Sequence, residues 1–219
     1  MDHFSQTWAH LILFALWLGA HVAILALLWQ MRAAAGKDEE SASLLRAMMA
    51  VERLPRTAFV MMLPMGLQLA ENLGLFHLGG LGALGVWIVA VVWLVGIWIQ
   101  PRSSRSDIAV GIRTAQRVLM VTVGLMMIGT AVLSLLSGEP IAARWLAGKF
   151  AIYGLALLLV FGIELVTQPL LYTLDKTSPR PTAPFDEALG QALPRATALA
   201  LLLYLGLGAA SWLGLVQPA

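Results

Sequence analysis

Two histidines, His10 and His21, lie inside the first long apolar segment of the chain, residues 8–29, and are its only ionisable groups. Each residue of an α-helix turns the side chain by about 100°, so eleven positions bring both imidazoles within about 20° of one direction. The rise of ~1.5 Å per residue separates them by roughly 16 Å along the axis. One helix face therefore carries two groups that can ligate a metal, ligate a haem iron or carry a proton.

The composition predicts what surrounds these histidines. Of 219 residues, 59% are hydrophobic and 12% are charged, and the mean hydropathy is +0.82. So little charge on a chain of this length indicates a polytopic membrane protein. The chain has no cysteine, which excludes disulfides, thiolate metal sites, iron–sulfur ligation and covalent haem attachment. The start, MDHFSQTW, lacks the basic region of a cleavable signal, so we expect the first segment to be retained.

Six segments have the ~20 apolar residues that a membrane span needs. We predict a single all-α transmembrane domain, residues 1–219, a bundle of six helices at residues 8–29, 57–76, 78–99, 118–136, 145–171 and 196–215. Three loops, residues 30–56, 100–117 and 172–195, carry all but two of the 14 basic residues. The positive-inside rule places these loops in the cytoplasm and both termini on the outer, periplasmic side of a bacterial inner membrane.

In this orientation the polar side chains of the spans form two sets. The outer third of the membrane holds His10, Glu71, His77, Arg144 and Lys149. Ionisable groups in a bilayer are costly, so each is a candidate functional residue. Purely structural interpretations are open for all of them, such as an interfacial His77 or a Lys149 that extends to the membrane surface.

The second set is an inner pair, His21 and Glu164, which lie toward the cytoplasmic side. Gln168 follows Glu164 by one helical turn, so the two side chains share a face and Gln168 can provide a hydrogen-bonding neighbour. An imidazole bonded across helices is the structural interpretation of His21.

Several short motifs contain these residues. They are H-x6-W-x-G at residues 10–19, V-E-R with P-M-G at 51–66, W-L-x-x-K at 145–149, and the ends of the last span, L-P-R at 193–195 and V-Q-P at 216–218. Together they resemble the family that contains HemJ-type protoporphyrinogen oxidases and the copper-resistance protein D membrane domains. Members of the HemJ type are shorter, with four core helices, and have methionine where this chain has Val51.

The resemblance implies a haem-binding role for His10 and a functional role for Lys149. We therefore expect a haem b protein, with one or two haems, that acts as a redox enzyme or electron-transfer protein linked to quinone or oxygen, with a porphyrin as another candidate partner. His10 would be an axial ligand and His77 the candidate second ligand. Lys149 and Arg144 would hold propionates or an anionic substrate.

The inner pair has two candidate roles in such a protein. His21 and Glu164 could bind a second haem, or they could relay protons from the cytoplasm as a quinone reaction requires.

Two other function classes are open from the sequence. One is a Cu(I) permease that uses His10, His21, His77 and methionines as binding steps, since thioether and imidazole ligands suit that ion. The other is a non-catalytic assembly subunit in which the histidines have no ligand. A homo-oligomer is compatible with either. Nucleic-acid binding is not expected, because the basic residues are scattered through short loops.

Overall fold

The computed structural model describes residues 3–34, 38–99, 107–172 and 185–217, and within these residues the chain folds into seven α-helices. Their bounds are α1 His3–Ala33, α2 Asp38–Val51, α3 Arg53–Asn72, α4 Gly79–Ile99, α5 Asp107–Ser137, α6 Arg144–Tyr172 and α7 Phe185–Val216. Five of them, α1, α4, α5, α6 and α7, are long and apolar enough to cross a membrane. The expected class, an all-α multi-pass membrane protein, agrees with these helices.

The long helices form two layers of three. In one layer α3 packs between α1 and α4, and in the other α6 packs between α5 and α7. Neighbouring helices run antiparallel, and glycines permit the closest approach: a Cβ at Gly154 of α6 would lie 2.5 Å from the carbonyl oxygen of Gly124 of α5. The layers meet where α1 contacts α7 and α4 contacts α5.

A central apolar layer crosses the bundle between its two ends, and all six long helices contribute to it. Its buried members include Trp17, Phe59, Trp93, Met120, Leu157 and Leu203. We name the two ends of the bundle after residues on either side of this layer. The Lys149 end holds the beginnings of α1 and α6, and the Arg56 end holds the beginning of α3.

The predicted second span corresponds to α3, which begins before residue 57 and ends before residue 76. It is not one of the five helices that meet the length and hydropathy requirement. Its sequence carries two arginines, a glutamate, a glutamine and an asparagine, yet nine of its residues are buried, including Pro55 and Pro64. Neighbouring helices therefore cover much of its surface.

Asp38–Val51, within the predicted loop 30–56, form α2, a helix separate from α3. Leu45 and Met48, about one helical turn apart on α2, are buried against Leu28 and Met31 of α1 and Leu189 of α7. The loop residues Lys37, Arg102, Arg105, Lys176 and Arg180, used to predict the orientation, lie outside the described residues.

Candidate functional site

His10 points from α1 toward α3, at the Lys149 end of the bundle. Its ring lies against Gly66: a Cβ on that glycine would stand 3.1 Å from Cε1, 3.7 Å from Nδ1 and 4.0 Å from Nε2. Any larger residue at this position would have to displace the ring. The Nδ1 atom is buried and has no hydrogen-bond partner among the described residues. An imidazole in this state has hydrogen-bonding or ligating capacity that the protein does not use.

Lys149 of α6 lies close enough for its ammonium to act electrostatically on His10. The ammonium also lies 5.9 Å from the centre of the Trp145 ring and 2.8 Å from where a Cβ of Gly214 would stand. Gly214 belongs to the last turn of α7, whose carbonyl end carries partial negative charge. None of these neighbours carries a full negative charge, and no carboxylate among the described residues pairs with Lys149. The site therefore presents a partly buried, uncompensated positive charge beside an imidazole.

The other predicted outer residues lie farther from this pair. His77 is in the segment between α3 and α4, its side chain is 93% exposed, and its Nδ1 is 4.0 Å from Oε1 of Glu71. The same Glu71 oxygen accepts a hydrogen bond of 2.9 Å from the backbone N–H of Gly79, at the start of α4. Arg144 is exposed in the first turn of α6. In the described structure none of these three side chains has a hydrogen bond or ion pair with His10.

His21 lies on the other side of the central layer, near the Arg56 end. Its Nδ1 is 3.0 Å from the carbonyl oxygen of Trp17, one turn earlier in α1, and its ring meets the Trp17 ring edge-on at 5.5 Å. Arg56 of α3 and Glu52 act on it electrostatically. Both histidines thus face α3, as their eleven-residue spacing predicts, and each belongs to a different end of the bundle.

Glu164 of α6 is the centre of an ion-pair network at the Arg56 end. One carboxylate oxygen lies 3.1 Å from Arg56, and the other accepts a hydrogen bond of 3.2 Å from Arg117 of α5. Arg56 also donates bonds of 2.6 and 3.0 Å to Glu52, the residue before α3. The predicted neighbour Gln168 does share the face of Glu164, but it bonds to Arg117, at 2.8 Å. Two carboxylates and two guanidiniums balance in charge, so Glu164 is held by structural partners.

The sequence interpretation missed the two arginines of this network. Arg56 and Arg117 end the predicted loops 30–56 and 100–117, whereas their side chains are 11% and 19% exposed inside the bundle. The sequence contains a signal for this network. Each arginine lies about one span length from the outer end of the apolar segment that follows it, which is the depth of Glu164. A glutamate at that depth of an apolar bundle requires cationic partners.

Within the described residues, no group of three or more His, Asp or Glu side chains is arranged to hold a metal ion. Two separate polar centres are present instead, one of His10 and Lys149 and one around Glu164 and His21. Comparison of the chain with models of protein families, with curated proteins and with solved structures finds no match.

Proposed function

We propose that this chain is a haem b-binding inner-membrane protein with redox or electron-transfer activity, and that it is related to the HemJ-type proteins. The observation that carries the proposal is the pairing of His10 with Lys149. A partly buried imidazole with an unpartnered nitrogen lies beside an ammonium that no described carboxylate neutralises. A haem supplies the complement of both groups, an iron that accepts a nitrogen ligand and propionates that carry negative charge.

The residues present fit a haem with a single histidine ligand. Of the described side chains, neither His21 nor His77 lies against His10. His21 is separated from it by roughly 16 Å along α1. The His77 side chain is exposed. Haem proteins with one proximal histidine are common. We therefore assign His10 as the ligand and Lys149 as the group that holds a propionate or an anionic substrate.

The chain's own residues would bind and orient the group. Gly66 lets the His10 ring lie against α3, and Trp145 and Gly214 fix the position of the Lys149 ammonium. Leu63, three residues before Gly66, and Phe150, next to Lys149 in sequence, belong to one buried apolar cluster, which would exclude water. When bound, the haem would supply the electron-transfer chemistry, and a quinone, oxygen or a porphyrin would be the reaction partner.

The proposal includes six membrane spans, with α3 as the sixth, and both termini on the periplasmic side. A helix with polar residues can cross a bilayer when neighbouring helices cover it. Arg56 of α3 is paired with Glu52 and Glu164, and α3 packs between α1 and α4, which supports this assignment. The basic loops support the orientation.

Copper transport is the second candidate, and the geometry supports it less. A permease needs binding steps that follow one another through the membrane, but Trp17 and Phe59 lie between the two histidines of α1. Met126, one of the candidate soft ligands, is 66% exposed on the outside of the bundle. A non-catalytic assembly subunit would leave His10 and Lys149 without a ligand.

Cofactor analysis of the purified protein separates the three functions. Haem and copper are quantified on the same detergent-solubilised sample, after expression with added haem precursor, for the unaltered chain and for His10→Ala and His77→Ala. We expect haem in the unaltered chain and in His77→Ala, and its loss in His10→Ala. Copper in place of haem would favour the permease, and neither cofactor would favour the assembly subunit.

A further inference from the structure

We infer that the central apolar layer is a seal between the two polar centres, so that the His10 site exchanges protons and ligands with the Lys149 side of the membrane alone. This inference deepens the proposed function, since it fixes the side from which that site works. The seal itself does not depend on a haem.

The first observation is an aromatic stack across three helices at one level of the bundle. The Trp17 ring of α1 stacks on the Phe59 ring of α3 with centroids 4.5 Å apart, and the Phe59 ring meets Tyr153 of α6 at 5.0 Å. The Tyr153 hydroxyl donates a hydrogen bond of 2.8 Å to the carbonyl oxygen of Phe59. The stack thereby ties the two helical layers together at the point where α3 faces α6.

The second observation is that the other long helices add buried apolar side chains to the same cluster. Trp93 and Met120 from α4 and α5, and Leu157 and Leu203 from α6 and α7, belong to the same buried cluster. Leu157 is 0% exposed and Leu203 is 1% exposed. Close-packed interiors of this kind leave little room for water, and a proton path needs an unbroken chain of hydrogen-bonding groups or water.

The third observation is how the polar groups divide across this level. His10 and Lys149 lie on one side, and His21 with the Arg56–Glu164 pair lies on the other. At the level itself Tyr153 donates a hydrogen bond to a backbone carbonyl, and the Trp17 indole nitrogen and the Tyr204 hydroxyl, packed against the same cluster, are buried without a partner in the described structure. Isolated donors of this kind do not connect the two centres, so a proton relay from His21 to His10 is not expected.

Cysteine accessibility tests the seal directly, because the natural chain has no cysteine. Single variants His10→Cys and His21→Cys are placed in right-side-out and inside-out vesicles and labelled with a small membrane-impermeant thiol reagent. His77→Cys, at an exposed site of the Lys149 end, and Gln191→Cys, at an exposed site of the Arg56 end, report which side the reagent reaches. We expect His10→Cys to label from the side that labels His77→Cys, and not from the opposite side.

Removal of the stack provides the second arm of the test. Trp17→Ala and Phe59→Ala are each combined with His10→Cys, and at least one should abolish the sidedness, so that the cysteine labels at equal rates from both sides. Labelling of the single His10→Cys variant from both sides, from the Arg56 side alone or from neither side would overturn the inference. So would sidedness that survives both alanine substitutions.

This readout is independent of cofactor content. Labelling from one side, in a protein that never contains haem, would support the seal and contradict the proposed function. If the unaltered protein contains haem but the His10→Cys variant labels from both sides, the proposed function is supported and the seal is contradicted.

Discussion

Arg56 and Glu164 join the two layers of the bundle through an ion pair of 3.1 Å, although their helices, α3 and α6, are not close-packed neighbours. Arg117 occupies the second carboxylate oxygen of Glu164, so α5 takes part in the same bridge. Without this carboxylate, Glu52 would be left to balance both guanidiniums of the described network, Arg56 and Arg117, which are largely shielded from solvent.

We therefore expect Glu164→Gln to destabilise the protein strongly. Removal of one member of a buried ion pair costs about 3–5 kcal/mol, because the remaining charge stays buried. Thermal unfolding in detergent measures the effect, and Glu187→Gln, at an exposed position of α7, is the matched control. Equal melting temperatures for the two variants would show that the network contributes little.

The two tyrosines of the bundle interior provide a second comparison. Tyr153→Phe should lower stability by about 0.5–1 kcal/mol, since it removes the hydrogen bond to the Phe59 carbonyl between helices. Tyr204→Phe should have no such effect, because the Tyr204 hydroxyl has no partner among the described residues. Chemical or thermal unfolding of the two variants in one detergent tests the difference. A larger loss for Tyr204→Phe would contradict it.

The contact between Gly66 and His10 predicts an unusual response to alanine. Alanine normally stabilises a helix relative to glycine by up to about 1 kcal/mol, which we expect for Gly129→Ala, where a Cβ would meet open space. At Gly66 the new methyl group would stand 3.1 Å from the His10 ring, so the ring must move, at a cost of about 1–3 kcal/mol. Unfolding measurements should therefore show opposite signs for the two variants. A stabilising Gly66→Ala would show that the ring adapts without cost.

How much of this arrangement the sequence predicts depends on the kind of interaction. The common face of His10 and His21, and that of Glu164 and Gln168, follow from helical periodicity, which is a local property. The membrane class follows from composition. Which helices become neighbours is not local, so the partnership of His10 with Gly66 and Lys149 required the tertiary structure.

The second span shows a different limit of sequence reasoning. The apolar pattern predicts a span at residues 57–76, yet α3 begins at Arg53 and includes Arg56 within its first turn. By its hydropathy an arginine is assigned to a loop. In the folded protein, a carboxylate from another helix can pair with the arginine and allow it to be buried. That carboxylate, Glu164, comes from a residue more than a hundred positions later in the chain.

Lys149 gives a prediction for the electronic properties of the proposed site. A positive charge near a haem favours the reduced iron, so Lys149→Gln should lower the midpoint potential. Arg144→Gln removes the same charge from an exposed position five residues earlier, where water screens it, and should lower the potential less. Redox titration of both variants measures the two shifts. Equal shifts would indicate that Lys149 has no special position relative to the haem.

The reduced-minus-oxidised optical spectrum of the purified protein tests the central claim most directly, with His10→Ala compared against His77→Ala. The proposed function predicts the sharp bands of a b-type haem in the unaltered chain and in His77→Ala, and their loss in a folded His10→Ala variant. Bands that persist without His10, or a featureless spectrum of the unaltered protein after haem supplementation, would contradict it.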